Sequence, residues 1–257
     1  MTRRATSWDA GTYDRSSGPQ QSWAADVVRR LEGLADDATV LDVGCGTGRV
    51  TEELARLVPR GTVLAIDASD EMVQLARRRL GSRASVWCED VLDLALDEPV
   101  DAILSTATLH WVSDHDRLWR RLAAALRRGG RLEAQCGGAG NIARVRVAID
   151  EAARETAPQL LEWSPWCFAT PEETETRLRE AGFVGARCWL EERPTYPDDV
   201  DEFVRTSILP AHLERLAPDD SERFANAVCE RLQAPLDYVR LNVSAVRGDG
   251  RPARDGC

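Results

Sequence analysis

The sequence predicts a doubly wound α/β fold: a mostly parallel, seven-stranded sheet with helices on both faces and a helical cap. Three observations predict it. Between residues 39 and 136, short apolar runs alternate with helical patterns of about 10–15 residues, which implies βαβ crossovers. The runs are almost continuously apolar, as strands buried on both faces must be. A glycine-rich turn joins the first of them to the helix behind it.

The elements read in order. Trp23, Val27, Leu31 and Leu34 share one face of a helix over 23–34. Thr39–Gly44 is a strand. Gly46–Val58 is a helix with Val50, Leu54 and Leu57 in phase, ended by Pro59 and Gly61. Thr62–Asp67 is the second strand. Ser69 caps a helix over Asp70–Leu80, acidic at its start and arginine-rich at its end. Ala84–Cys88 and Val100–Ser105 are the third and fourth strands. A helix over Asp114–Arg128 stops at Gly129-Gly130, and Arg131–Cys136 is the fifth strand. The rhythm then changes. Asn141–Leu161 is helical with no strand behind it, and Pro171–Ala181 is a helix. Ala186–Leu190 is the sixth strand. Asp198–Leu232 is helical with breaks at Pro210 and Pro218, and Leu236–Val246 is the seventh strand. This divides the chain into an N-terminal arm and helix (1–35), an α/β core (36–140), a helical cap insertion (141–170), the C-terminal part of the core (171–247) with a second helical insertion at about 195–235, and a tail (248–257).

Composition narrows the function classes. The chain has 257 residues, 43% of them apolar, which suffices for a packed core and excludes global disorder. A net charge of −10 argues against nucleic acid as a partner. No run approaches the roughly 20 apolar residues of a membrane span, and the N-terminus has no apolar signal core, so no membrane is expected and the location expected is cytoplasmic. All 33 basic residues other than histidine are arginine, which excludes a Schiff-base lysine. The seven cysteines form no C-x-x-C pair. Cys45, Cys88, Cys136 and Cys188 lie in apolar runs and are expected to be buried, reduced thiols, and no metal site is expected.

The chemistry is carried by Val40-Leu41-Asp42-Val43-Gly44-Cys45-Gly46-Thr47-Gly48. Glycines here let a ligand approach the backbone and leave helix N–H groups free for an anion. Asp42 is placed to face a cation. Asp67, 19 residues after Gly48, ends the second strand, where a carboxylate can take both ribose hydroxyls. Asp90, just past the third strand, can accept from an adenine amino group. The implied ligand has a cationic group, a carboxylate, a ribose and an adenine, which fits S-adenosylmethionine better than NAD.

Residues 39–136 resemble the class I S-adenosylmethionine-dependent methyltransferases, through LDVGCGTG, IDAS (66–69) and EDVLDL (89–94). The resemblance implies a Rossmann-like seven-stranded sheet with an antiparallel last strand. It also implies S-adenosylmethionine as cofactor and S-adenosylhomocysteine as product. The cofactor residues it implies are Asp42, Gly44, Cys45, Gly46 and Gly48 at the methionine end and Asp67 at the ribose. Ala68, Met72, Asp90 and Val91 would surround the adenine, with Ser105 and Gln20 completing the set. A narrower resemblance rests on Trp8, Tyr13, Asp14, Ser16, Pro19, Gln20 and Trp23, and on Ala107-Thr108-Leu109-His110-Trp111-Val112 with Asp114-His115. It looks like trans-aconitate methyltransferases, biotin-pathway malonyl-thioester methyltransferases and juvenile hormone acid methyltransferases, which methylate carboxylates. One departure is the stretch of about 40 residues between Pro194 and Pro235, where many superfamily members have a short hairpin. The acceptor's identity therefore does not carry over.

On the acceptor side, His110 and Tyr13 are the candidate catalytic residues, and His110, Trp111, Arg144, Trp166 and Arg240 the candidate acceptor contacts. His110 either binds the acceptor or caps its loop, and Trp111 either walls the pocket or fills the core. Arg144, Arg146 and Arg240 are candidates for a carboxylate because arginine binds it bidentately. Trp163, Trp166 and Phe168 either form an aromatic wall or pack the cap. His115 is expected at the surface. The expected reaction is methyl transfer to a small-molecule carboxylate, giving an ester. Alternatives are N- or C-methylation with His110 as base, a non-catalytic S-adenosylmethionine-binding protein, and a nicotinamide oxidoreductase. The expected assembly is a monomer or homodimer.

Overall fold

A computed structural model describes residues 18–249, and the side chains of 23–249. Tyr13, with the rest of the arm up to residue 17, and the side chain of Gln20 lie outside the described part. The helix α1 (Gly18–Arg29) leads into β1 (Thr39–Val43), α2 (Arg49–Leu57), β2 (Thr62–Asp67), α3 (Asp70–Leu80) and β3 (Ser85–Cys88). Then come β4 (Val100–Thr106), α4 (His115–Ala125), β5 (Leu126–Gly137), α5 (Ala143–Thr156), α6 (Pro171–Glu180) and β6 (Phe183–Glu192). After α7 (Val200–Phe203), α8 (Pro210–Leu213) and α9 (Pro218–Cys229), the strand β7 (Val239–Arg247) closes the fold.

The strand order is β3-β2-β1-β4-β5-β7-β6. The first five strands pair in parallel, and β7 runs antiparallel to both β5 and β6. Neighbouring residues on the central strands explain the unbroken apolar runs. Leu41 and Ile103 bury into one face with Trp119 and Leu122 of α4, while Val40 and Leu104 bury into the other with Leu31 and Leu54. A separate apolar cluster joins α5, Phe203, Ile208 and Phe224 to Trp23 and Tyr238, forming a helical layer beyond the strand ends. The order reverses at β1, so the turns after β1, β2 and β4 open on one crevice, where open α/β sheets bind ligands.

Several boundaries differ from the sequence expectation. The helix expected to reach Arg128 stops at Ala125, because Leu126 pairs with Val100 and starts β5; Gly129, with φ at +75°, then turns the chain before Arg131 pairs with Ala102. The helix expected from Asn141 begins at Ala143, because Ile142 takes a left-handed backbone at φ +47° with its N–H donating to the Asp237 carbonyl at 2.9 Å. The helix expected over 23–34 occupies Gly18–Arg29 instead. One of the thiols' expected positions also needs correcting. Cys45, Cys136 and Cys188 are buried, but Cys88 is exposed, because β3 is a four-residue edge strand.

Candidate active site

The turn after β1 is held from beneath. The N–H groups of Gly44 and Cys45 both donate to the Ile66 carbonyl of β2, at 2.8 and 2.9 Å. The Gly46 N–H donates to Asp67 Oδ2 at 2.9 Å, and the Ser69 N–H donates to Asp67 Oδ1 at the same distance. Asp67 thus orders both the glycine turn and the start of α3, while each oxygen keeps a lone pair for a further donor. Burial pushes its carboxyl up from the usual range, and these N–H donors oppose the rise. Gly44 has no room for a side chain: an added Cβ would lie 2.1 Å from Thr108 Oγ1, which itself donates to the Gly44 carbonyl. Gly46, at φ +53°, faces open space instead.

A cavity of about 660 Å³ opens from this turn. At one end it is lined by Gly44, Gly46, Asp67, Ala68, Met72, Asp90 and Val91, seven of the predicted cofactor residues. Glu89 and Leu92 also line it. Asp90 Oδ1 accepts from the Leu92 N–H at 2.9 Å, which closes the turn after β3.

Four predicted cofactor residues do not face the cavity. Asp42 is buried behind the turn, where Oδ2 accepts from Thr51 Oγ1 of α2 at 2.6 Å. Its Oδ1 has no hydrogen-bond partner among the described residues. Ser105 donates to the Val43 carbonyl inside the sheet. Cys45 turns into the cluster of Val73, Ala76 and Leu80 on α3, and Gly48 packs against the same helix. The strand alternation at Asp42 and Ser105 decides this, since each points into the layers and not out of the strand end.

The other end of the cavity is aromatic and cationic. His110, Trp111, Trp163, Trp166, Phe168, Tyr238 and Arg240 line it. His110 stacks on Phe168 at 5.8 Å, and Phe168 on Trp166 at 5.6 Å. The Gly137 N–H donates to His110 Nδ1 at 3.3 Å, so in the neutral ring the proton sits on Nε2. Burial, then the nearby positive Arg240, hold the His110 pKa well below its ordinary value of 6.5. Arg240 is itself buried, with its guanidinium 5.2 Å from the Trp23 ring centre. Arg144 lies outside the cavity. Its backbone N–H and guanidinium engage Asp237, and its side chain also bonds the Pro235 carbonyl. His115, expected at the surface, is buried at the start of α4, with Nε2 3.1 Å from the Leu109 carbonyl. The Leu-His-Trp turn folds over it.

A model of the methyltransferase domain matches residues 40–130, from β1 to the turn in β5. A methyltransferase of Schizosaccharomyces pombe, described as uncharacterised, is 33% identical over 255 residues, which cover 95% of this chain and 92% of that one. The chain belongs to the class I S-adenosylmethionine-dependent methyltransferases. The trans-aconitate 2-methyltransferase of Methylobacterium nodulans is 38% identical over 183 residues, 71% of this chain and 67% of that protein. Phosphoethanolamine N-methyltransferase 2 of Haemonchus contortus, solved with S-adenosylhomocysteine, superposes with a TM-score of 0.64 over 93% of this chain and 57% of that one; at 17% identity this likeness speaks for the fold.

The methyltransferase uses S-adenosylmethionine, and its residues suit that molecule. Asp67 keeps lone pairs for a diol, and Ala68, Met72 and Val91 offer apolar contact for an adenine. Among the described residues, no group of three or more His, Cys, Asp or Glu is arranged to hold a metal ion, and no helix is long and apolar enough to cross a membrane.

The methyltransferase's Asp42 makes one prediction about stability. Burial raises its carboxyl from 3.8 to about 7. A raised folded-state pKa means that the folded protein binds a proton more tightly than the unfolded chain. The stabilisation is complete below 3.8 and is lost as pH rises to about 7, by roughly 4 kcal/mol at the upper limit. Asp42→Asn removes this dependence. Without cofactor, its melting temperature is expected to gain on the wild type's between pH 4 and pH 7 and to hold a constant lead above that. A melting difference that does not change with pH would show Asp42 to be ionised throughout.

Proposed function

We infer that the protein transfers a methyl group to a carboxylate oxygen of a small molecule, giving a methyl ester. S-adenosylmethionine, when bound, supplies an electrophilic methyl group on a sulfonium. A carboxylate is already a nucleophile and needs no base. It needs donors that hold it in line and keep water away.

The observation that supports this reading is the pairing of His110 with Arg240 in one aromatic cavity. With Nδ1 occupied by the Gly137 N–H, neutral His110 offers a donor at Nε2. To act as a base it would have to become a cation beside Arg240, against the same burial that depresses its pKa. A buried guanidinium and a neutral imidazole N–H together suit a carboxylate, with Arg240 as its anchor and His110 as its second donor. Trp111, Trp166 and Phe168 line the same cavity with apolar surface. On the cofactor side, we assign the ribose to Asp67, the backbone approach to Gly44 and Gly46, and the adenine to Ala68, Met72, Asp90 and Val91. The likeness to the trans-aconitate 2-methyltransferase of Methylobacterium nodulans supports the same reading.

The test uses S-adenosylmethionine with a labelled methyl group, a panel of carboxylic acids and a cell metabolite extract. Mild alkali should release the label as methanol. Label that survives alkali overturns the ester reading in favour of nitrogen or carbon methylation. The pH profile gives a second check. If His110 works as a neutral donor, kcat at saturation should show no ionisation from that residue between pH 6.5 and 8.5. A limb near pH 7 that disappears in His110→Gln would identify a base instead.

A further inference from the structure

The segment between β6 and β7 brings a side chain to the cavity that neither the sequence motifs nor the proposed reaction uses. After α7 the helix widens. The Leu209 N–H donates to the Val204 carbonyl at 2.9 Å, five residues back, so Val204–Ile208 forms a π turn. The cause lies one residue on. Pro210 has no N–H to donate, and its ring crowds the carbonyl four residues earlier, so a regular α-helix cannot run through it. The extra residue sets the phase of the next two turns. Ser207, Ile208, Ala211, Glu214 and Arg215 form one face, and all five line the cavity.

Ser207 is 9% exposed, and its Oγ is buried with no hydrogen-bond partner among the described residues. A buried hydroxyl left unpaired is unfavourable, and native structures rarely keep one without a use. Ser207 lines the cavity, so rotation about its Cα–Cβ bond can present the hydroxyl there. The apolar residues on its own face, Ile208 and Ala211, offer it no partner. Two turns along the same face, Arg215 lays its guanidinium over Trp163 at 4.4 Å from the ring centre. That contact uses the flat face of the guanidinium and leaves its N–H edge available.

We propose that Ser207 is a specificity-determining residue, whose hydroxyl binds a second oxygen function of the acceptor, a hydroxyl or a carboxylate distinct from the group that is methylated. This rests on the carboxylate reading of the proposed function. The acceptor then spans the cavity, with one end at His110 and Arg240 and the other at Ser207. Arg215 would add its charge only if the second group is anionic.

The experiment compares sets of straight-chain acids of four to eight carbons: the plain acid, its ω-hydroxy derivative and the α,ω-diacid. Wild type, Ser207→Ala and Ser207→Thr are assayed with S-adenosylmethionine. Binding of the same acids is measured by calorimetry with S-adenosylhomocysteine present. At one chain length, wild type should prefer an oxygenated acid over the plain one by tenfold or more in kcat/KM. Ser207→Ala should cut that ratio about tenfold, and Ser207→Thr, which keeps the hydroxyl, should retain most of it. Arg215→Met separates the two sources, lowering the preference for the diacid and leaving that for the hydroxy acid in place. An unchanged ratio in Ser207→Ala overturns the proposal, as does an equal loss for plain and oxygenated acids, or the absence of binding by any oxygenated acid. Failure of the carboxylate reading looks different: the Ser207-dependent binding preference appears, yet no alkali-labile label forms.

Discussion

Gly44→Ala is expected to abolish S-adenosylmethionine binding while leaving most of the sheet folded. The added methyl would meet Thr108 Oγ1 at 2.1 Å and Cγ2 at 2.2 Å, far inside contact distance. It would also force a side chain onto a backbone at φ +75°. Left-handed strain and overpacking together cost roughly 2–4 kcal/mol. The turn cannot yield toward β2, since the Gly44 and Cys45 N–H groups are both held by the Ile66 carbonyl. It must lift, which moves the Gly46 N–H away from Asp67. The expected result is a loss of at least about 100-fold in affinity for S-adenosylhomocysteine by calorimetry, which by itself corresponds to about 3 kcal/mol. Thr108→Ala in the same chain should recover part of it, because the clash is with that side chain. Near-normal affinity in the single variant would mean that the turn is free to relax and that its seat on β2 is not what shapes the cofactor end.

The second large effect is expected at Arg240. Arg240→Met keeps the volume and the contact with Trp23 but removes the charge. With an acidic acceptor, kcat/KM should fall by about 10²–10³, the usual consequence of deleting one partner of a buried charge pair. Affinity for S-adenosylhomocysteine should stay within about twofold, since Arg240 lies at the opposite end of the cavity from Asp67. Electrostatics supplies a second signature. Arg240 helps to hold His110 below its ordinary pKa, so its removal lets that pKa rise toward 6.5. Titration of His110 by NMR in the two proteins checks the direction. A loss of activity with no movement of the His110 titration would place Arg240 in a structural role.

The cofactor half of the fold was legible because its signals are local. Asp67 and Asp90 lie at or just past the ends of apolar strands, and glycines sit where the chain must turn tightly, so chain order maps directly onto the crevice. Asp42 misled for a simple reason. A strand residue two positions before the turn points into the layer beneath, where Thr51 of α2 already waits at 2.6 Å, and spacing alone does not reveal which face is taken. His115 misled because charged neighbours, Asp114 and Asp116, mark a surface helix start, while the turn that covers His115 comes from residues 109–111. The end of the cavity beyond His110 was least legible. The face that Ser207 and Arg215 present depends on a π turn, which shifts the helical phase by a residue without any change in hydrophobic pattern. A lone serine carries no signature in sequence, and its meaning appears only when its hydroxyl is found buried with no hydrogen-bond partner among the described residues.

The position of β7 has a consequence for how the molecule comes into being. Among the described residues β7 is the last strand in chain order, yet it lies in the sheet's interior, paired to β5 on one side and to β6 on the other. Until it emerges, β5 has an open edge and β6 has no neighbour at all. The glycine turn, Asp67 and Asp90 belong to strands that can pair long before then. Tyr238 and Arg240 arrive only with the final insertion. By chain order, then, the end of the cavity at Gly44 and Asp67 can form before the end at Tyr238 and Arg240, and the strand that seals the sheet also brings Arg240 to the cavity.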